Sequence, residues 1–183
     1  MSSRGAVDWD VARSIAARVN RSAPDLDASE WARMDDDFAE FTELAEKLVA
    51  EETGLVSADG PARGRVADRE MWVEVNIRSF QRLLKPLLDQ MDDKMDGPLS
   101  GLGSKAAGAE VGAMLGWMST KVLGQYDLLV IEDEDPDLQD IVYYVGPNVA
   151  AIEKRFAFPP RDFRLWLALH EVTHRAQFTG VPW

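Results

Sequence analysis

Apolar positions in the first half of the chain recur at helical spacing. Val11, Ile15 and Val19 mark a short helix that Asp8 or Asp10 can cap. A second helix opens at DASEWARM, where Asp27 stands three residues before Glu30 in a capping-box arrangement. Its stripe runs through Phe38, Phe41, Leu44, Ala45 and Leu48, and Gly54 is a natural stop. Residues 54–66, with three glycines and a proline, predict a loop. A long helix from about Ala67 to Met95 follows, with Trp72, Ile77, Phe80, Leu84, Leu87, Leu88 and Met91 on its stripe. Pro86 should kink or divide it.

After the loop DGPLSGLG comes a helix carrying Gly108, Gly112 and Gly116, spaced by four along one face. Each glycine costs about 1 kcal/mol of helix propensity relative to alanine, so the spacing implies close approach of a neighbouring helix. The apolar run 106–118 is short and broken by Glu110, which predicts a buried helix and not a membrane span. The period then changes. YDLLVI (126–131) and IVYYV (141–145) have strand composition and are joined by EDEDPDLQD, which predicts a β-hairpin. The acids of that connection lack the glycine and glutamate spacing of a calcium loop, so they read as a solvated tip. Pro147 suits the first turn of the next helix, and FAFPPR ends it. A final helix runs from about Arg161 or Asp162 through Phe178, with Gly180 beyond. The pattern is mainly α with a small β-hairpin, an α+β class, in a single domain over 1–183.

This last helix holds the chemistry. HEVTH places His170, Glu171 and His174 together, and these are the two histidines of the chain. Four residues turn an α-helix by about 400°, so His170 and His174 project from one face, one turn apart. Their imidazoles can converge on one Zn²⁺ at roughly 2.0–2.1 Å. Glu171, about 100° round from His170, lies beside that point and off the line of ligands, where it can serve as general base. Leu165, Leu169, Val172 and Ala176 form an apolar stripe for the core side of the same helix.

Composition narrows the chemistry. Cysteine is absent, so disulfides, thiolate metal sites and a cysteine nucleophile are excluded, and a metal must be held by His, Asp, Glu or backbone oxygen. The net charge of −12 disfavours nucleic acid and anionic membrane surfaces. The N-terminus lacks the uninterrupted apolar core of a secretory signal, and cytoplasmic residence is expected.

Three stretches carry a family resemblance: VADREMWVEVNIRSFQRLLKPL (66–87), GAMLGWMSTKVLGQYDL (112–128) and YYVGPNVAAIEKRFAFPPRDFRLWLALHEVTHRAQFTGVPW (143–183). The chain resembles the zincin-like type 2 metallopeptidases, a group linked by genomic context to deazaflavin-cofactor biosynthesis. That resemblance implies a mostly helical zincin-like fold. It implies a zinc-dependent hydrolase, a metallopeptidase, in which His170 and His174 bind Zn²⁺ and Glu171 is the base. The hairpin would lie near the active-site helix, where a strand could pair with an extended peptide. Members of the group continue past the GVPW segment, so residues 1–183 are expected to be the N-terminal part of a longer protein; the other readings are that a partner completes the site or that the domain no longer catalyses.

A catalytic zinc takes three protein ligands, and zincins draw the third from beyond the motif helix. Among upstream carboxylates, spacing does not single out Glu153, Asp162 or any other. The expected partner is a peptide or small amide substrate, and a surface normally covered by a C-terminal part could favour association. The alternative function is a non-catalytic zincin-like binding or scaffold module.

Overall fold

The computed structural model describes residues 6–21, 26–58, 60–92, 100–126 and 140–181, with the side chains of 88–92 and 100 excepted. The elements run α1 (Trp9–Asn20), α2 (Ala28–Thr53), β1 (Arg63–Ala67), α3 (Arg69–Asp92), α4 (Ser100–Ser119), β2 (Gly124–Tyr126), β3 (Ile141–Val145), α5 (Gly146–Phe156) and α6 (Pro160–Thr179). They divide into two compact units, one of residues 1–23 and 69–121 and one of residues 24–68 and 122–183. The architecture is mostly helical with one small sheet, as the sequence pattern predicts.

The first unit contains α1, α3 and α4. Asp8 caps α1 by accepting from the Val11 amide. The expected stripe of α1 is displaced: Ala12 and Ala16 are buried, while Val19 is 38% exposed. The glycines of α4 give the reason. A Cβ on Gly108 would stand 2.1 Å from the Asp8 carbonyl oxygen, and one on Gly112 would stand 2.3 Å from that of Ala12. At Gly116 it would meet the Ala16 Cα at 3.0 Å. The two helices thus meet backbone to backbone through their smallest residues. That leaves the other face of α4 open, with Leu102, Met114 and Trp117 exposed, so α4 is half-buried where full burial was expected. On α3, Trp72, Val73 and Ile77 are buried. Glu74 receives a forked pair of hydrogen bonds from Arg13, at 2.8 and 3.2 Å. The helix continues past Pro86 instead of dividing there.

The second unit carries the sheet. β3 is its central strand, pairing parallel with β1 and antiparallel with β2. All five β3 residues are buried, as befits a strand covered on both sides. The antiparallel pairing sets Gly124 opposite Tyr144 and Tyr126 opposite Val142. β2 and β3 are thus consecutive antiparallel strands, while 127–139, all but Tyr126 of the expected first strand and all but Asp140 of the acidic connection, lie outside the described residues.

β1 corrects the expectation of an unbroken loop over 54–66. RGRVA has charged and glycine positions that disguise a strand. Gly64 is required there, because a Cβ would come within 2.9 Å of the Phe38 carbonyl and still closer to the Thr42 hydroxyl. The core joins Met34, Phe38, Phe41, Ala45 and Val49 of α2 to Val142 and Tyr144 of β3, and to Leu167, Ala168, Val172 and Ala176 of α6. Phe38 stacks on Tyr144 at 3.9 Å between centroids, and the Tyr144 hydroxyl meets Thr42 Oγ1 at 2.9 Å.

α2 keeps its predicted ends. The Asp27–Glu30 capping box is formed, and Gly54 closes the helix at φ 71°. Pro147 lies in the first turn of α5, and Ala157 ends that helix in the left-handed region. Among the described residues no helix is long and apolar enough to cross a membrane.

Candidate metal centre

The motif lies in the middle of α6, as predicted, but the buried face of the helix differs from the expected stripe. Leu167, Ala168, Val172 and Ala176 are buried, together with Arg164, Glu171 and Arg175; Leu165 and Leu169 are only half-buried. The apolar residues supply the packing. Three ionisable groups on the same face are each met by something specific.

His170 and His174 both stand on the exposed side. Their Nε2 atoms are 3.3 Å apart, and the rings meet edge-on at 86° with centroids 4.7 Å apart. Two nitrogens bound to one ion at about 2.0–2.1 Å in a tetrahedral arrangement stand about 3.3–3.4 Å apart. The separation of the pair therefore matches that of two nitrogens on one zinc ion. Thr173, between them, turns its hydroxyl back to the Leu169 carbonyl at 2.6 Å and leaves that space to the imidazoles.

Glu171, between them in sequence, is buried. Burial pushes its carboxyl up to about 7, and the charge of His174 pulls in the opposite direction but does not prevail. A carboxyl balanced near neutrality can accept and return a proton at that pH. β2 lies directly against it: a Cβ on Gly124 would stand 2.7 Å from Glu171 Cγ and 2.8 Å from its Oε1. A side chain at position 124 would crowd the carboxylate in this position. β2 is also the edge of the sheet among the described residues. The expectation of a strand next to the motif helix is met at this glycine.

No group of three His, Cys, Asp or Glu side chains that could hold a metal is found among the described residues. Glu153 is not available as a third ligand, since both its oxygens accept from Arg164 at 2.8 and 2.9 Å. Asp162 is eight residues before His170, about 12 Å along the helix axis.

Two arginines absent from the sequence-level candidates hold α6 in place. Arg164 donates to Glu153 of α5 and to Asp37 of α2 at 2.8 Å, with Arg161 adding contacts to Asp37 and Glu40. Arg175, immediately after His174, is essentially inaccessible at 1%. It donates to Asp140 at 2.7 Å, to Glu46 of α2 at 2.9 Å and to the Gly60 carbonyl at 2.8 Å. Arginine's fixed fork suits this convergence of acceptors from three segments. Helical position could have flagged both, since Arg164, Leu167, Ala168, Glu171 and Arg175 share one face at i, i+3, i+4 spacing.

Over residues 7–183 the chain matches the model of the zincin-like metallopeptidases. The chain belongs to this family. Among solved structures it is similar to a candidate hydrolase of novel fold from Chloroflexus aurantiacus, at 34% identity and a TM-score of 0.76. That alignment covers 97% of this chain and 54% of the Chloroflexus chain, so this zincin-like chain spans about half the length of its structural relative. No curated protein matches it.

Proposed function

We propose that the chain carries the metal-binding helix and the base of a zinc-dependent hydrolase acting on peptides or small amides. The observation that carries this reading is the 3.3 Å approach of the His170 and His174 Nε2 atoms, one residue from a buried carboxyl. His170 and His174 would hold the ion, and a third ligand would come from outside the described residues. When bound, the ion supplies Lewis acidity, making water more acidic and a carbonyl more electrophilic.

The remaining work belongs to the side chains. Glu171 takes a water proton onto a carboxylate oxygen and gives it to the departing amine nitrogen. Its burial against Gly124 limits the solvent that could compete for that proton. The edge of β2 offers backbone groups with which an extended substrate can pair, beside the carboxylate.

Elemental analysis of the purified protein tests the metal. One zinc per chain is expected, and it should fall to background in His170→Ala. Glu171→Gln should keep the zinc and lower peptide hydrolysis by at least about 10²-fold. Retained hydrolysis in that variant would remove Glu171 from the mechanism. Zinc retention with no hydrolysis in the wild type would favour a non-catalytic zincin-like binding module.

A further inference from the structure

A row of aromatic rings runs from the end of α5 to the histidine pair. Phe156 and Phe158 stack at 5.6 Å between centroids, Phe158 and Phe163 meet at 5.2 Å, and Phe163 and Trp166 stack at 5.8 Å. Trp166 then stacks on His170 at 5.6 Å with the planes only 20° apart. Such rings normally seek cover, yet Phe156, Phe158 and Trp166 are 54%, 42% and 55% exposed. Their mutual contacts keep the row in order while leaving its outer surface to solvent. An ordered, contiguous, exposed apolar surface marks a place where something binds.

The position of the row argues for its occupant. It is continuous with the candidate metal centre: the ring next to His170 is Trp166, so a group held at the histidines has Trp166 as its neighbour. From His170 back to Phe163 the helix advances about 10 Å, which matches about three residues of extended peptide. Same-face side chains of an extended peptide recur every 6–7 Å or so, somewhat more than the 5.2–5.8 Å between successive rings.

We infer that this row is the binding site for bulky apolar side chains of an extended peptide substrate, with Trp166 as the specificity-determining residue next to the metal centre. The assignment rests on the metallohydrolase reading and deepens it by naming the substrate class. An aromatic side chain laid on such a ring gains offset or edge contacts beyond the area it covers.

The test uses two fluorescein-labelled hexapeptides, one alternating Phe and Gly, the other alternating Ser and Gly. Their binding is followed by fluorescence anisotropy to the zinc-loaded whole protein carrying E171Q, which prevents turnover, and to the same protein stripped of metal. The Phe peptide should bind at least about tenfold tighter than the Ser peptide. Adding Trp166→Ala should erase most of that preference, whereas Trp166→Phe should restore it to within about threefold. Trp166 is exposed, so the alanine variant should melt within a few degrees of its parent, and that is checked in parallel.

Equal binding of the two peptides, or an unchanged preference in Trp166→Ala, overturns the inference. So does sedimentation showing a dimer of the wild type that Trp166→Ala converts to monomer, since the row would then be covered by a second copy. If zinc and hydrolysis are both absent while the Phe preference and its loss in Trp166→Ala persist, the row stands as a peptide site and only the catalytic reading fails.

Discussion

α4 and α6 are each 20 residues long, and they are buried by opposite means. The face of α4 that meets α1 contains no ionisable group at its closest points; it is glycine set against the backbone of Asp8, Ala12 and Ala16. The face of α6 that meets the core contains three ionisable groups, Arg164, Glu171 and Arg175. A helix that only needs to pack can be stripped to its backbone. A helix that must present two imidazoles and a carboxyl in fixed positions gains from anchors that resist sliding and rotation, and forked arginines provide them. The two arginines are fully met by acceptors, while the Glu171 carboxyl is held close to neutral pH by burial. On α6, the stabilising charges and the candidate functional charge share one face but not one environment.

The largest break in this contrast comes from Arg164→Met. The arginine leaves, and Glu153 and Asp37 remain buried, with only Arg161 beside Asp37. Removing one partner of a buried pair costs roughly 3–5 kcal/mol, which urea unfolding should read as a lower midpoint. Replacing Glu153 by Gln in the same protein should recover part of that loss, because one of the orphaned charges goes with it. Equal stability of Arg164→Met and wild type would mean that the anchor holds nothing.

Next in size is the pH dependence that Glu171 imposes on the metal-free protein. Its carboxyl lies at about 7 in the folded chain, against 4.5 for the free side chain. Between those values the folded state binds more protons than the unfolded state, so stability must fall as pH rises through the window. The total loss from this group is on the order of 3 kcal/mol by pH 7 and above. Glu171→Gln should flatten the profile between about pH 4.5 and 7 and leave the chain more stable at neutral pH. Urea midpoints across that range, with chelator present, measure both effects. A profile unchanged by the substitution would show that the carboxyl is not desolvated.

How much of this was legible in the residues depends on the range over which each feature is decided. The capping box at Asp27 and Glu30, the Gly54 stop and the i, i+4 histidines are settled within one or two helical turns, and each was readable. β1 was not, because RGRVA becomes a strand only when β3 arrives alongside it from 78 positions later, Val145 pairing with Ala67 at the last register position. On α1 the stripe of Val11, Ile15 and Val19 gives way to Ala12 and Ala16, because the α4 glycines select the smallest residues for closeness. The motif announced two ligands and a base. That Glu171 sits under Gly124, and that Arg175 ties the next position to Asp140, Glu46 and Gly60, depends on contacts from elements that carry no local mark of the site.

The smallest effects test the other half of the comparison. Alanine is the better helix former at either Gly112 or Gly103 by about 1 kcal/mol, so propensity alone predicts the same gain at both. The surroundings predict opposite signs. A Cβ on Gly103 meets nothing within 4 Å, and Gly103→Ala should stabilise the protein by up to about 1 kcal/mol. A Cβ on Gly112 would meet the Ala12 carbonyl oxygen at 2.3 Å and its Cα at 2.8 Å, backbone atoms that cannot swing aside. α1 would have to move away from α4 along the whole seam, and overpacking of that kind costs about 1–3 kcal/mol. Thermal melts of the two variants should therefore shift in opposite directions. A gain at both positions would mean that the α1–α4 seam tolerates separation. The glycines at 108, 112 and 116 would then have to be explained by something other than the closeness of the two helices.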